Sequence, residues 1–258
     1  MEKLSVVIIT FNEEKNIERC LQSVKPVADE IVVVDSLSTD RTKEICKTNG
    51  VIFFEQPFLG YIEQKNYALS KTTYPFAFSI DADEELSKEL ILSIQHAKKT
   101  GFSCDGYAMN RLCNYCGQWI YHGNYYPDRK IRLVNVLKSK WGGANPHDKL
   151  IMPDNTKITR LKGDLLHHAY STYEEHVLKV NKYSTIGAEY KFKCGVRSSY
   201  FKIIVNPAWA FFHSYVIKLG FLDGINGFII ARYIAFETFL KYTKLMRLQR
   251  KDKVTENS

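Results

Sequence analysis

Over the first ninety residues, short apolar runs alternate with segments of helical spacing. Leu4 to Ile9 is a continuous apolar run of strand length, as expected of a parallel strand buried on both faces. It ends in the polar Thr10-Phe-Asn-Glu-Glu14, after which Ile17, Cys20, Leu21 and Val24 recur at helical spacing up to Pro26. The cycle repeats with Ile31-Val-Val-Val34 and Asp35, then Ser36-Leu-Ser-Thr-Asp40, whose side chains are good N-caps for a helix running through Cys46. Val51 to Phe54 reads as a third strand, Tyr61 to Ser70 as a third helix and Phe76 to Ile80 as a fourth strand. Such alternation predicts a parallel sheet with helices on both faces.

The fourth strand stops abruptly at Asp81-Ala-Asp-Glu-Glu85. Four carboxylates this close repel one another, which calls for a positive partner; a divalent metal carrying a phosphorylated ligand is the simplest. Ligands of doubly wound sheets bind beyond the carboxyl ends of the strands, and the polar residues Thr10, Asn12, Glu13, Asp35, Asp81 and Asp83 all fall there. A dinucleotide-binding dehydrogenase would need a Gly-x-Gly-x-x-Gly turn after the first strand, and this loop has no glycine. A sugar-1-phosphate nucleotidyltransferase would want a glycine-rich loop with a basic residue at the same place. A pyrophosphate must therefore be neutralised differently, and a metal held by Asp83 would do so.

The opening Ser-Val-Val-Ile-Ile-Thr-Phe-Asn-Glu-Glu, the Val-Val-Asp-Ser-Leu-Ser-Thr-Asp-Arg-Thr, the Gln64-Lys65-Asn66 and the Asp-Ala-Asp-Glu-Glu together resemble family 2 glycosyltransferases of the GT-A fold. The resemblance implies an inverting hexosyltransferase that uses a nucleotide-diphosphate sugar. It implies that Thr10, Asn12 or Glu13, and Asp35 hold base and ribose, that Asp81 and Asp83 hold metal and diphosphate, and that Lys65 belongs to the donor site. Many members have a second aspartate where this chain has Ser36, so a uridine donor is expected without that acid. The late histidine that GT-A enzymes often add to the metal shell corresponds to His167, and the metal would be Mg2+ or Mn2+.

After a helix that Ser87 is expected to cap, residues 104–134 lose helical period and become rich in aromatics interleaved with Asn, Gln, Gly and His, a composition that serves a core or stacks on sugar rings. Arg129 and Arg132 are suited to gripping phosphate. An inverting transfer needs a carboxylate to take the acceptor's proton. Pro146-His-Asp-Lys-Leu150 resembles the His-Glu motif of lipopolysaccharide-type members, which makes Asp148 the general base, with Asp128 and Glu84 in reserve. Thr172-Tyr-Glu-Glu175 is a capping box that opens a helix running to about Lys193.

The formal net charge is +8. Between Lys241 and Lys253 six cations stand against Asp252, directly after an aromatic, apolar segment that begins at Ser199; this pairing favours an anionic membrane surface over nucleic acid. The longest uncharged run, Ile203 to Ile217, is too short to span a bilayer, so two helices lying in the interface are expected. The six cysteines are scattered, Cys113-x-x-Cys116 lacks a second pair at zinc-site spacing, and no signal peptide precedes the first strand, which points to a reducing cytoplasm. The C-terminal part also resembles lipopolysaccharide-core β-1,4-glucosyltransferases. The expected organisation is an α/β GT-A catalytic domain over 1–195, its sheet mixed but mainly parallel with helices on both faces, nucleotide-sugar side 1–100 and acceptor side 101–170, followed by an amphipathic helical membrane-association segment over 196–258. The expected enzyme sits on the inner face of the cytoplasmic membrane and adds a sugar, glucose first, from a UDP-sugar to a lipid-linked glycan such as the lipopolysaccharide inner core. Capsule synthesis, or a non-catalytic nucleotide-sugar-binding scaffold, is the alternative.

Overall fold

The computed structural model describes residues 2–144 and 147–256. They group into two compact units, Met1–Leu112 with Asp128–His167, and Cys113–Pro127 with His168–Ser258. Residues 168–195 fall in the second of these units.

In the first unit the expected βα cycles appear as β1 (Leu4–Thr10), α1 (Ile17–Val24), β2 (Glu30–Asp35), α2 (Thr42–Thr48), β3 (Ile52–Glu55), α3 (Tyr61–Ser70) and β4 (Phe76–Asp81). They are followed by β5 (Glu84–Leu86), α4 (Lys88–Lys99), β6 (Gly106–Tyr115), β8 (Asp128–Asn135), β9 (Lys140–Ala144), β10 (His147–Ile151) and β11 (Ile158–Tyr170), while β7 (Gln118–Ile120) falls in the second unit. The sheet runs β3-β2-β1-β4-β8-β6-β11-β5. Its nucleotide half, β3-β2-β1-β4, is parallel. From β8 onward the sheet becomes mixed, as the GT-A expectation requires: β8 joins β4 antiparallel, as β6 joins β8 and β5 joins β11. The fold is the GT-A arrangement, with a mixed sheet.

Alternation along β1 explains the two layers. Leu4, Val6 and Ile8 pack with Ile17, Cys20 and Leu21 of α1 and with Leu90 and Ile94 of α4 on one face. On the other face Val7 packs with Ala68 and Leu69 of α3 and with Trp141 and Leu150 of a separate β9–β10 ribbon. Ser87 caps α4 as expected, its hydroxyl accepting from Leu90 N at 3.3 Å and from Asp164 N at 3.1 Å. At Gly163 (φ +86°) a Cβ would lie 2.3 Å from Leu90 N, so only glycine lets β11 approach that helix end.

Asp81 ends β4 and Glu84 opens β5 with only two residues between them, yet β5 pairs with β11, with Glu84 opposite His167. The acidic stretch therefore crosses from the middle of the sheet to its edge strand, which brings a residue 84 positions further along the chain beside Asp83.

The second unit holds α5 (Tyr173–Lys193), α6 (Tyr200–Phe212) and α7 (Gly224–Glu256), with α7 packed along both α5 and α6. The capping box is present, with Glu175 N donating to Thr172 Oγ1 at 3.2 Å and Glu175 Oε2 reaching back to Ser171 N at 2.8 Å. Asp223 is buried and its carboxylate accepts from Tyr121 N and His122 N, fixing the aromatic loop after β7. Among the described residues no single helix is long and apolar enough to cross a membrane; Tyr200–Ile217 and Gly220–Asp252 together have the composition but are bent by 73°.

Candidate active site

Two loops at the carboxyl ends of β1 and β2 are laced together. Asn12 N donates to Ser38 Oγ at 2.8 Å, Glu13 N to Thr42 Oγ1 at 2.8 Å and Glu14 N to Asp40 Oδ2 at 3.0 Å. In return Asn12 Oδ1 accepts from Thr39 N at 2.8 Å, and the buried Asp35 carboxylate accepts from the backbone and hydroxyl of Ser38. Asn12 and Asp35 therefore shape the rim of the site through the Ser38-Thr39 turn, and Thr10 stands at its floor, 5% exposed.

Next to this rim the acidic stretch is split by function. Glu84 is fully buried, and a bare carboxylate there would be costly; it accepts from Asp81 N at 3.0 Å and pairs with Arg132 at 3.0 Å and Arg111 at 3.5 Å. Arg132 also reaches Asp81 at 3.2 Å. Burial alone would raise the Asp81 carboxyl, but the Lys65 ammonium and the Arg132 guanidinium hold it well below the usual carboxylate range. Arg132 reaches inward because it is the extra residue of a β-bulge: Tyr107 pairs with Leu133 and Ala108 with Ile131, leaving 132 unmatched.

The Gln64-Lys65-Asn66 triplet of α3 ties three neighbouring segments to this cluster. Gln64 Nε2 donates to Ser36 Oγ at 3.0 Å. Lys65 Nζ lies 3.2 Å from Asp81 Oδ1, 2.9 Å from Asp148 Oδ2 and 4.5 Å from the centre of the Trp141 ring. Asn66 bonds the backbone of Trp141 in both directions. Because Asp148 pairs with Gly143 and Leu150 with Trp141, Asp148 and Trp141 share one face of the ribbon, the face turned to Lys65 and Arg132.

Residues 5–153 match the family model described as glycosyl transferase family 2. The chain belongs to glycosyltransferase family 2. It is 34% identical to an uncharacterized glycosyltransferase of Rickettsia typhi, covering 98% of this chain and 90% of that one. It is 31% identical to the lipopolysaccharide core biosynthesis glycosyltransferase LpsC of Rhizobium meliloti, covering 94% of this chain and 91% of LpsC. Among solved structures, residues 1–349 of S. aureus TarS in complex with UDP align with a TM-score of 0.47 at 16% identity, covering 97% of this chain and 92% of that one.

In this family 2 glycosyltransferase several buried polar atoms have no hydrogen-bond partner among the described residues, and five of them ring the cluster: Thr10 Oγ1, Gln64 Oε1, Asp81 Oδ1, Arg132 Nε and Trp141 Nε1. Among the described residues Asp81 Oδ1 keeps its ion pair with Lys65. Each such atom costs about 1–3 kcal/mol while it stays unsatisfied.

Asp83 Oδ2 lies 3.2 Å from His167 Nε2. Among the described residues no three His, Cys, Asp or Glu side chains form a ready metal cage. One carboxylate and one imidazole fit a divalent ion that completes its shell with phosphate oxygens and water, and do not fit an all-protein site.

Of the residues expected from sequence, Lys65, Asp81, Arg132 and Asp148 meet directly, and Asp83 meets His167. Arg129 is exposed and joins none of these ion pairs among the described residues. The reserve bases are engaged: Glu84 as above, and Asp128 with Arg111 at 2.8 Å and Lys130 at 3.0 Å, which outweigh burial and lower its carboxyl. Pro146 of the motif around Asp148 lies outside the described residues. Sequence reasoning missed Arg111, Trp141 and the part played by Glu84. The isolated tryptophan before Gly-Gly was a signal for Trp141; a bulge that turns an arginine inward has none.

Proposed function

We propose that this chain is an inverting, metal-assisted hexosyltransferase that moves glucose from UDP-glucose to a lipid-linked glycan acceptor of the lipopolysaccharide-core type. The observation that carries this reading is the ring of buried polar atoms without a hydrogen-bond partner among the described residues, around Lys65, Asp81 and Arg132 at the strand ends. The likeness to LpsC supports the acceptor class.

The uridine would lie over Thr10 and the rim set by Asn12, Glu13 and Asp35, with the diphosphate at Lys65 and Arg132. The cations Lys65, Arg111 and Arg132 are already matched by Asp81, Glu84, Asp128 and Asp148. A diphosphate therefore needs its own counter-charge, and Asp83 with His167 would hold the divalent ion, Mg2+ or Mn2+, that stabilises the leaving diphosphate. Asp148 takes the proton from the acceptor hydroxyl as its oxygen bonds to the anomeric carbon. The bond from that carbon to the β-phosphate oxygen breaks with its electron pair, UDP leaves, and the configuration inverts.

The segment 196–258 would hold the enzyme on the inner face of the cytoplasmic membrane, beside its lipid-linked acceptor. In support, α6 buries none of its residues and exposes Tyr200, Phe201, Ile204, Trp209 and Phe212. Five cations and no acid occur from Tyr190 to Leu222. An apolar helix face with a cationic surround fits an anionic lipid surface.

The test is transfer from UDP-glucose to truncated lipopolysaccharide in vesicles with Mn2+, read by UDP release and by the anomeric proton coupling of the product. A β-linked product, absent with Asp148→Asn, is expected. A retained α-linkage, or full transfer by Asp148→Asn, would contradict the mechanism.

A further inference from the structure

Asp148 is the residue assigned to take the acceptor's proton, yet its carboxylate is already held by an ammonium ion. Lys65 Nζ lies 2.9 Å from Asp148 Oδ2 and 3.2 Å from Asp81 Oδ1, on a side chain whose residue is only 4% exposed. The Trp141 ring supports the same ammonium at 4.5 Å, and Asn66 fixes the Trp141 backbone to α3. The cation thus sits on an indole face where it can swing without leaving the site, because a lysine is a point charge on a flexible stem with three donors. Asp81 remains paired to Arg132 at 3.2 Å if Lys65 moves, whereas Asp148 has no other ion pair among the described residues.

We infer that Lys65 is a two-position residue that masks Asp148 in the donor-free protein and gives it up to the diphosphate of the bound donor. Asp148 is then open to an acceptor hydroxyl only after the donor has bound, which imposes donor-first order. The proposal rests on the donor reading above. No bond is made or broken in the exchange; one ion pair replaces another. The Lys65–Asp148 pair competes with Lys65–diphosphate, so removing the Asp148 charge must tighten diphosphate binding, and it must do so through Lys65.

Calorimetric titration of the full chain with UDP in excess Mn2+, and with uridine as the diphosphate-free control, tests this in a double-mutant cycle. Asp148→Asn is expected to bind UDP about tenfold more tightly than wild type, and Lys65→Met more weakly. Adding Asp148→Asn to Lys65→Met should change nothing, and uridine should bind all four proteins alike. Asp148→Ser and Lys65→Gln repeat the cycle should either first variant fail to melt cooperatively. Unchanged or weaker UDP binding by Asp148→Asn overturns the masking role and leaves the donor reading standing. Equal tightening in the Lys65→Met background also overturns it, since the effect would then be the lost negative field alone. Absence of UDP binding by wild type would overturn both.

Discussion

Asn66 and Trp141 exchange two hydrogen bonds of 2.9 Å, the Asn66 amide nitrogen donating to the Trp141 carbonyl and the Trp141 N–H donating to the Asn66 amide oxygen. This side-chain pairing imitates one rung of a β-ladder and fastens the β9–β10 ribbon to α3. The ribbon carries Asp148, so the position of the proposed base depends on an asparagine 82 residues earlier in the chain.

Asn66→Ala should therefore cost about 1–3 kcal/mol of stability, because it strands two buried backbone groups. It should lower kcat about tenfold by loosening the ribbon while leaving UDP affinity near wild type. Denaturant melts and steady-state kinetics check this; a variant with normal kcat would separate the ribbon from catalysis.

Glu84 and Arg132 form a buried pair at 3.0 Å, and neither can lose its partner cheaply. Arg132→Met should destabilise the first unit by about 3–5 kcal/mol, because it leaves Glu84 to Arg111 alone and removes a cation from Asp81. Combining it with Glu84→Met should recover part of that loss. Urea midpoints for the two single variants and the double variant decide it, and additive losses would contradict the pairing.

His176 is buried with its ring nitrogens against Tyr115 Oη at 2.9 Å and Tyr125 Oη at 3.3 Å. Burial, with Lys179 nearby, lowers its imidazole from 6.5 to about 4. The folded chain keeps this ring neutral where the unfolded chain takes up a proton. The stability it contributes is whole above 6.5 and is lost as pH falls towards 4. Wild type should lose about 2 kcal/mol more than His176→Gln between pH 7 and pH 5. Parallel urea titrations at the two values measure it; identical losses would show that His176 does not titrate there.

Phe201 and Trp209 are 71% and 60% exposed, so charging them should leave the fold intact. Phe201→Glu with Trp209→Glu should abolish co-sedimentation with phosphatidylglycerol vesicles and leave UDP binding unchanged. Wild type that stays in the supernatant would contradict the membrane role of α6.

The sequence pattern revealed the parallel half of the fold because β1, β2 and β3 are each followed by a helix, as β3 is by α3 over Tyr61–Ser70. The antiparallel half was harder to read, since β5 leaves β4 after two residues and pairs with β11, a choice that only the whole sheet determines. Lys65, Asp81, Asp83 and His167 were named from motif and position, and the fold brings Lys65 to Asp81 and Asp83 to His167. Arg132 was named for phosphate by its chemistry alone, whereas its buried bond to Glu84 arises from a bulge that hydrophobic periodicity does not encode. The loop roles of Asn12 and Asp35 were hidden for a similar reason: each satisfies backbone groups of the Ser38-Thr39 turn, and that pairing exists only once β1 and β2 lie side by side.

The most direct measurement is calorimetric titration of UDP-glucose into wild type and Asp83→Ala, each with and without Mn2+. Metal-dependent binding by wild type, lost on chelation and in Asp83→Ala, is the predicted result; equal binding by both proteins without metal would contradict a site built around Asp83.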